Sequence, residues 1–263
     1  MILFDQAGAG ANTAMMFGAP PSLQPFVEHF WTQRELTTAV DQRWRIPPDA
    51  NPYLIFTASE SSYREFRTRC ILVGPSASFF DMPVHGRLFT CGVRLRPGVL
   101  PLLIRLPAIE LTGGAVPVEE VFGARGKRLL ERLSEPTSWE LAPRLMAEFL
   151  MRELAGREAF EPLPTHRVGS VRELAGVVGL STRTLHHRIT QQIGVSPKLW
   201  LRIERLHRAI ALSMNRIDSW SNIATHCGFA DQAHLVREFA DLLGESPTAW
   251  RRRSPFLPSA DAR

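Results

Sequence analysis

The stretch from Leu174 to Leu185, LAGVVGLSTRTL, returns in altered form from Ile223 to Leu235 as IATHCGFADQAHL. At an offset of 49 positions Leu174 pairs with Ile223, Ala175 with Ala224, Gly179 with Gly228 and Leu180 with Phe229. After one inserted residue the offset becomes 50 and pairs Leu185 with Leu235, Ile189 with Phe239, Gly194 with Gly244, Ser196-Pro197 with Ser246-Pro247, and Trp200 with Trp250. Coincidence at so many chemically demanding positions marks a duplicated helical unit. Each copy has the spacing of a helix-turn-helix. A small Ala sits where two helices cross closely, and a glycine four residues later supplies the left-handed conformation that turns the chain. A short polar residue, Ser181 or Asp231, then caps the second helix by accepting a backbone N–H.

Working outward, residues 197–214 read as one helix with Trp200, Ile203, Leu206 and Ile210 on its buried stripe, which Met214 extends. At about 1.5 Å per residue it is roughly 27 Å long. That length suits two helices placed near the ~34 Å that separates successive major-groove faces of DNA. The polar face of the first second-helix carries Thr182, Arg183, His186, His187 and Gln191, and the second carries Gln232, His234 and Arg237. These side chains reach base edges: Arg pairs two-pronged with guanine and Gln with adenine. Ser181, Asp231 and the basic side chains Arg202, Arg205 and Arg208 are the expected contacts to the phosphate backbone.

Charge divides along the chain in the same way. The 263 residues carry a formal net charge of +5. Residues 1–168 hold 18 basic and 18 acidic side chains, so the whole excess falls in residues 169–263, where 13 face 8. A basic excess confined to the last third predicts a polyanionic partner for that third.

The earlier part reads differently. Tyr53-Leu54-Ile55-Phe56, Cys70-Ile71-Leu72-Val73 and Leu88 to Leu95 are apolar runs punctuated by Pro47-Pro48-Asp49, Gly74-Pro75 and Pro97-Gly98. Short runs so bounded are strand-like. After Pro101 the spacing turns helical, clearest at Leu141, Leu145, Phe149, Leu150 and Leu154. The expected fold is therefore an α+β N-terminal domain, a small antiparallel sheet or barrel plus helices, followed by an all-α domain with two helix-turn-helix motifs. The expected boundaries are 1–155 and 170–263, joined by a linker over 156–169 that contains Pro162 and Pro164.

Arg94 and Arg96 alternate on one expected strand and so leave the same face. With Trp31 and Asp49 they form a candidate pocket for a small anion. A structural ion pair of these arginines with Asp49 or Asp81 is the competing reading. No catalytic constellation stands out: the three cysteines Cys70, Cys91 and Cys227 have no metal-ligand spacing, and there is no phosphate-binding glycine loop and no nucleophile elbow. An enzyme, a metal and a cofactor are therefore not expected. The longest uncharged stretch, Gln6 to Val27, is interrupted by Gly10, Asn12, Pro20 and Pro21, which argues against a membrane span, and Asp5 stands where a secretory leader carries basic residues. The expected compartment is the cytoplasm.

The motifs quoted above, with Arg205-Leu206-His207-Arg208-Ala209 between them and Gly244-Glu245-Ser246-Pro247 after them, resemble the DNA-binding domain of AraC-type transcriptional regulators over about 85 residues, Ser170 to Arg253. The resemblance implies a reader of double-stranded promoter DNA that works on RNA polymerase and uses two recognition helices in adjacent major grooves. Phe26 to Trp31, Pro48-Asp49, Gly74-Pro75 and Gly92 to Gly98 resemble the sensor-like domain of a subset of that family, which implies modulation by a small-molecule effector or by homodimer formation. Such regulators place a helix of about a dozen residues before the first unit, where this chain offers only Leu163 to Gly169. Either the helix ending near Leu154 covers the first unit or that unit has less support. The competing function is a sensor or interaction protein that keeps the fold with little specific DNA affinity.

Overall fold

The structure is a computed structural model and describes residues 13–37, 43–60, 66–83, 86–161, 163–165, 168–214 and 219–253. The N-terminal strands are β1 (Thr13–Gly18), β2 (Val27–Thr37), β3 (Arg43–Ile46), β4 (Tyr53–Glu60), β5 (Phe66–Val73), β6 (Phe80–Pro83), β7 (Gly86–Leu95) and β8 (Ala115–Pro117). Six of them form an antiparallel sheet in the order β1-β2-β7-β4-β5-β8, while β3 and β6 pair as a separate two-stranded arm. Of the two architectures the sequence left open, the protein adopts the open sheet.

Strand alternation sorts the central strand β7 cleanly. Phe89, Cys91, Val93 and Leu95 are buried on one face. There they meet α2 (Val118–Phe122), α3 (Ala124–Ser134) and α4 (Ala142–Glu153), all three of which follow α1 (Leu100–Ile104) and a turn of 3-10 helix at 108–111. Leu145, Met146, Phe149 and Leu150 are the buried stripe of α4. Leu141, expected on that stripe, precedes the helix and is 52% exposed, because Pro143 in the first turn starts the helix after it. Trp139, just before it, stacks on Phe89 at 5.2 Å between ring centroids.

The C-terminal part is wholly helical: α5 (Val171–Val177), α6 (Thr182–Ile193), α7 (Pro197–Met214), α8 (Trp220–Cys227), α9 (Gln232–Leu243) and α10 (Pro247–Arg253). The two units follow the sequence reading closely. Gly179 and Gly228 turn the chain at φ +68° and +76°, and Ser181 and Asp231 cap α6 and α9 by accepting the N–H of Thr184 and His234. Ala175 and Ala224 are buried at the helix crossings. Leu154 is part of the N-terminal core and so does not cover the first unit. Phe160, Leu163, Val168 and Ala50 do that instead.

Ala50 introduces a seam that has no signature in the sequence. Each helix-turn-helix core takes in a residue of the sheet domain, Ala50 in the first and Phe79 in the second. The same correspondence recurs at the left-handed glycines that end α6 and α9. The Gly194 carbonyl accepts the Thr112 hydroxyl at 2.7 Å, and the carbonyl of Leu243, beside Gly244, accepts Arg45 Nη1 at 3.1 Å. Arg45 is itself held by Asp81 across the β3–β6 arm and lies over the Phe79 ring. Between these points His207 on α7 bonds the Pro48 carbonyl at 2.7 Å.

These glycines allow a matched comparison. A Cβ at Gly179 would meet open space, whereas one at Gly194 would come within 2.7 Å of Thr112 Oγ1 and 2.6 Å of Pro75. Gly179→Ala should therefore cost only the left-handed strain, about 1 kcal/mol. Gly194→Ala should cost more and loosen the seam as well. Thermal melts give the first quantity, and limited proteolysis of the 156–169 segment reads the second.

Candidate nucleic-acid interface

On an α-helix, residues four apart share a face. In α6, Leu185, Ile189 and Ile193 point inward, which turns Arg183 and His187 fully outward. The corresponding outward pair in α9 is Ala233 and Arg237, since Leu235, Phe239 and Leu243 point inward there. Thr182, Arg183, His186 and His187 are exposed on α6, as are Gln232 and Arg237 on α9. The first turns of both helices, the part of a recognition helix that reaches base edges, are open to solvent.

Three residues expected at the DNA are committed elsewhere. Gln191 lies in the last turn of α6 and lines a cleft against residues 101–107 and Arg157 of the sheet domain, so it does not share the open surface of Arg183. His234 is tucked back: its Nδ1 accepts the Ala230 N–H at 3.2 Å and its ring stands edge-on to Phe229. Asp231 uses its carboxylate as the helix cap, and a carboxylate repels a phosphate.

The basic residues of α7 divide in a similar way. Arg202 is not a free arm. It donates from Nε to both Glu238 oxygens at 2.9 and 3.0 Å and from Nη2 to Asp241 at 3.2 Å, so it ties α7 to α9. Arg205 lies over the Phe229 ring with Cζ 5.5 Å from the centroid, and Arg208, one turn further on, is half-buried. Ser181 is exposed and keeps its hydroxyl at the mouth of α6.

The candidate pocket of the sheet domain is closed by its own side chains. Arg94 donates to Asp49 from Nε and Nη2, to Glu28 from Nη1 at 2.7 Å and to Asn51 from Nη2 at 3.1 Å. Tyr53 completes the cluster by donating its hydroxyl to Asp49. Burial alone would raise the Asp49 carboxyl, but Arg94 beside it holds it below the usual carboxylate range. Trp31 shares that sheet face and lies against Gly92, which has no side chain to displace it. Arg96 falls beyond the end of β7 and donates to the Gln24 carbonyl at 2.7 Å. Of the two readings, the structural ion pair with Asp49 is the one the protein adopts, and Asp81 serves Arg45 instead.

Comparison with known proteins separates the two halves. Residues 174–253 match a family model described as a helix-turn-helix domain, and residues 16–117 match one described as a domain of unknown function, DUF6597. The C-terminal third is an AraC-type helix-turn-helix domain. The HTH-type transcriptional activator RhaS of Escherichia coli O157:H7 (strain EC4115 / EHEC) is 38% identical over 85 residues, which is 32% of this chain and 31% of that protein. RhaS of Pectobacterium atrosepticum is 32% identical over 81 residues, 31% of this chain and 29% of that protein. The match thus spans about a third of these relatives. Among solved structures, the DNA-binding domain of AdpA in complex with a target DNA is 32% identical, covering 34% of this chain and 79% of that one with a TM-score of 0.32. ToxT from Vibrio cholerae is 10% identical, covering 94% of this chain and 100% of that one with a TM-score of 0.46. No helix among the described residues is long and apolar enough to cross a membrane.

Two expectations follow for stability. Arg202→Ala leaves the nearly buried Glu238 carboxylate with a lost partner, so it should lower stability by about 2 kcal/mol, measured by denaturant unfolding. His29, on the same face as Arg94, is lowered from its ordinary 6.5 to about 4 by burial and then by the Arg94 charge. The unfolded chain therefore binds a proton that the folded chain refuses, and stability should fall as pH drops from 6.5 towards 4. The loss reaches about 3 kcal/mol at most, and His29→Gln should flatten this part of the stability–pH curve.

Proposed function

We propose that this chain is a sequence-specific transcription regulator in which α6 and α9 enter successive major grooves of double-stranded promoter DNA. The observation that carries the reading is the pair of outward helix faces, Arg183 with His187 and Ala233 with Arg237, repeated on a duplicated motif at the two ends of α7. Thr182, Arg183, His186, His187, Gln232 and Arg237 read bases. Ser181, Arg205 and Arg208 meet phosphates, and Arg202 acts within the protein as the brace between α7 and α9. The basic excess of residues 169–263 supports the same partner, as does similarity to relatives described as HTH-type transcriptional activators.

In this reading residues 1–155 are the regulatory domain, 156–169 the linker and 170–263 the reader. The sheet domain alters DNA affinity by changing how it holds the ends of α6 and α9, through a small effector or a homodimer. RNA polymerase at the promoter is the downstream partner, and the compartment is the cytoplasm.

Binding-site selection from genomic fragments with the purified full chain tests this reading. It should return a set of related sites whose affinity falls steeply with salt. Arg183→Ala and Arg237→Ala should each cost about 1–3 kcal/mol and relax preference at a few base pairs, whereas Arg205→Ala should weaken all sequences alike and flatten the salt slope by about one. Arg202→Ala, once corrected for its stability loss, should leave that slope unchanged. A chain that prefers no fragment over bulk DNA is not a regulator of this kind but a sensor or interaction protein built on the same fold.

A further inference from the structure

The cleft behind α6 is lined by a distinctive set of side chains. It is an open cleft of about 390 Å³, within the size range of small-molecule sites. Residues 101–107 give it an apolar wall of proline and leucine, Arg105 and Arg157 bring two guanidinium groups, and Gln191 and Gln192 present two amides from the reading helix. Arg45, Arg94, Arg125 and Arg202 are tied to carboxylates, whereas Arg105 and Arg157 are exposed at the mouth of the cleft, as Arg183 and Arg237 are on the reading helices. Neither Arg105 nor Arg157 has a side-chain hydrogen bond or ion pair with any described residue.

The backbone adds an independent observation. Arg105 ends α1 at φ +58° and is the one non-glycine at positive φ among the described residues, where glycine occupies that region at nine other positions. A left-handed helix end is the usual place for glycine. A long cationic side chain at this position keeps a strained backbone and gains nothing from it inside the protein. Strain of this kind is characteristic of ligand-gripping residues.

We infer that this cleft binds a small organic anion, a carboxylate or phosphate ester with a compact apolar body, whose charge is held by Arg105 and Arg157 and whose body lies on the 101–107 wall. A duplex backbone fits less well, since a phosphate contact needs no apolar wall. The occupant would touch Gln191 and Gln192 one turn from Gly194, where Thr112 already joins the sheet domain to α6. It therefore braces the seam beside the first reading helix and changes operator affinity by the factor by which operator changes its own. That consequence rests on the regulator reading; the binding itself does not.

Calorimetry on the full chain at fixed ionic strength, with adipate as the carboxylate probe and phenyl phosphate as the phosphate probe, decides the matter without DNA. The expected result is saturable one-to-one binding of at least one probe. It should weaken by about tenfold or more in Arg105→Gly and in Arg157→Gln, as for loss of a charge-assisted contact, and stay unchanged in Lys127→Gln on the exposed face of α3. Arg105→Gly relieves the left-handed backbone, so its melting temperature should hold or rise, which separates lost binding from lost folding. No saturable heat for either probe, or binding indifferent to both arginines, overturns the proposal. So does a third outcome, in which the two arginine variants bind no probe differently but weaken DNA binding and flatten its salt slope. The arginines would then be phosphate contacts. A chain that binds the probes yet prefers no DNA keeps the site and loses the regulator.

Discussion

The buried pairing of Asp49 with Arg94 fixes the loop on which the relation between the two halves depends. Asp49 is engaged by Arg94 and Tyr53, and Asn51 donates to the Leu95 carbonyl and to Glu28, so residues 48–51 are fastened to β4 and β7 from several sides. The residues between and before these anchors are then presented outward at fixed positions. Pro48 offers its carbonyl to His207, and Ala50 enters the apolar core of the first helix-turn-helix unit. A charge pair so thoroughly removed from water stabilises little on its own, because desolvation offsets much of the attraction. Its value here is positional. Glu204, whose carboxyl burial pushes up, with His207 opposing that rise, stands at the same seam and shares the field of Arg94 and Asp49.

The reading helices show how a limited set of polar groups is divided between holding and reading. In α9, Asp231 is spent on the cap, His234 on the Ala230 N–H and Glu238 on Arg202, which leaves Gln232 and Arg237 exposed among the polar side chains expected at the bases. In α6 the cap is a neutral serine, and the four side chains expected at the bases in its first two turns, Thr182, Arg183, His186 and His187, all stay exposed. The two units share one backbone plan but are unequal in available chemistry, with the first the richer.

The duplicated motif was legible because its signals are local: glycine and capping residues at fixed offsets, and an apolar period of three to four. The sheet strands were legible for the same reason. What stayed hidden were partnerships between residues far apart in the chain. Nothing periodic links Arg202 to Glu238, 36 positions on, or tells whether Arg94 takes Asp49 or Asp81; that choice depends on β7 lying between β2 and β4. Arg96 was misplaced because its partner is a backbone carbonyl, which any residue carries. Gln191 has the right chemistry for adenine and the right face of the helix, and only the docking of residues 101–107 removes it from the open surface. One clue lay unused in the repeat itself: Gly194 and Gly244 recur for their left-handed turns, and the same lack of a side chain lets Thr112 and Phe79 approach there.

The hydrogen bonds by which the sheet domain holds the helical part, at Gly194, at Leu243 and at His207, have a mechanical meaning beyond their individual strengths. One point of contact leaves a body free to pivot in every direction, and two leave it free to swing about the line that joins them. Here the hydrogen bonds are backed by the apolar contacts of Ala50 in the first unit and Phe79 in the second, so the seam is a broad seat rather than a hinge. A signal that loosens one part of such a seat shifts its load onto the others, and both reading helices feel it together.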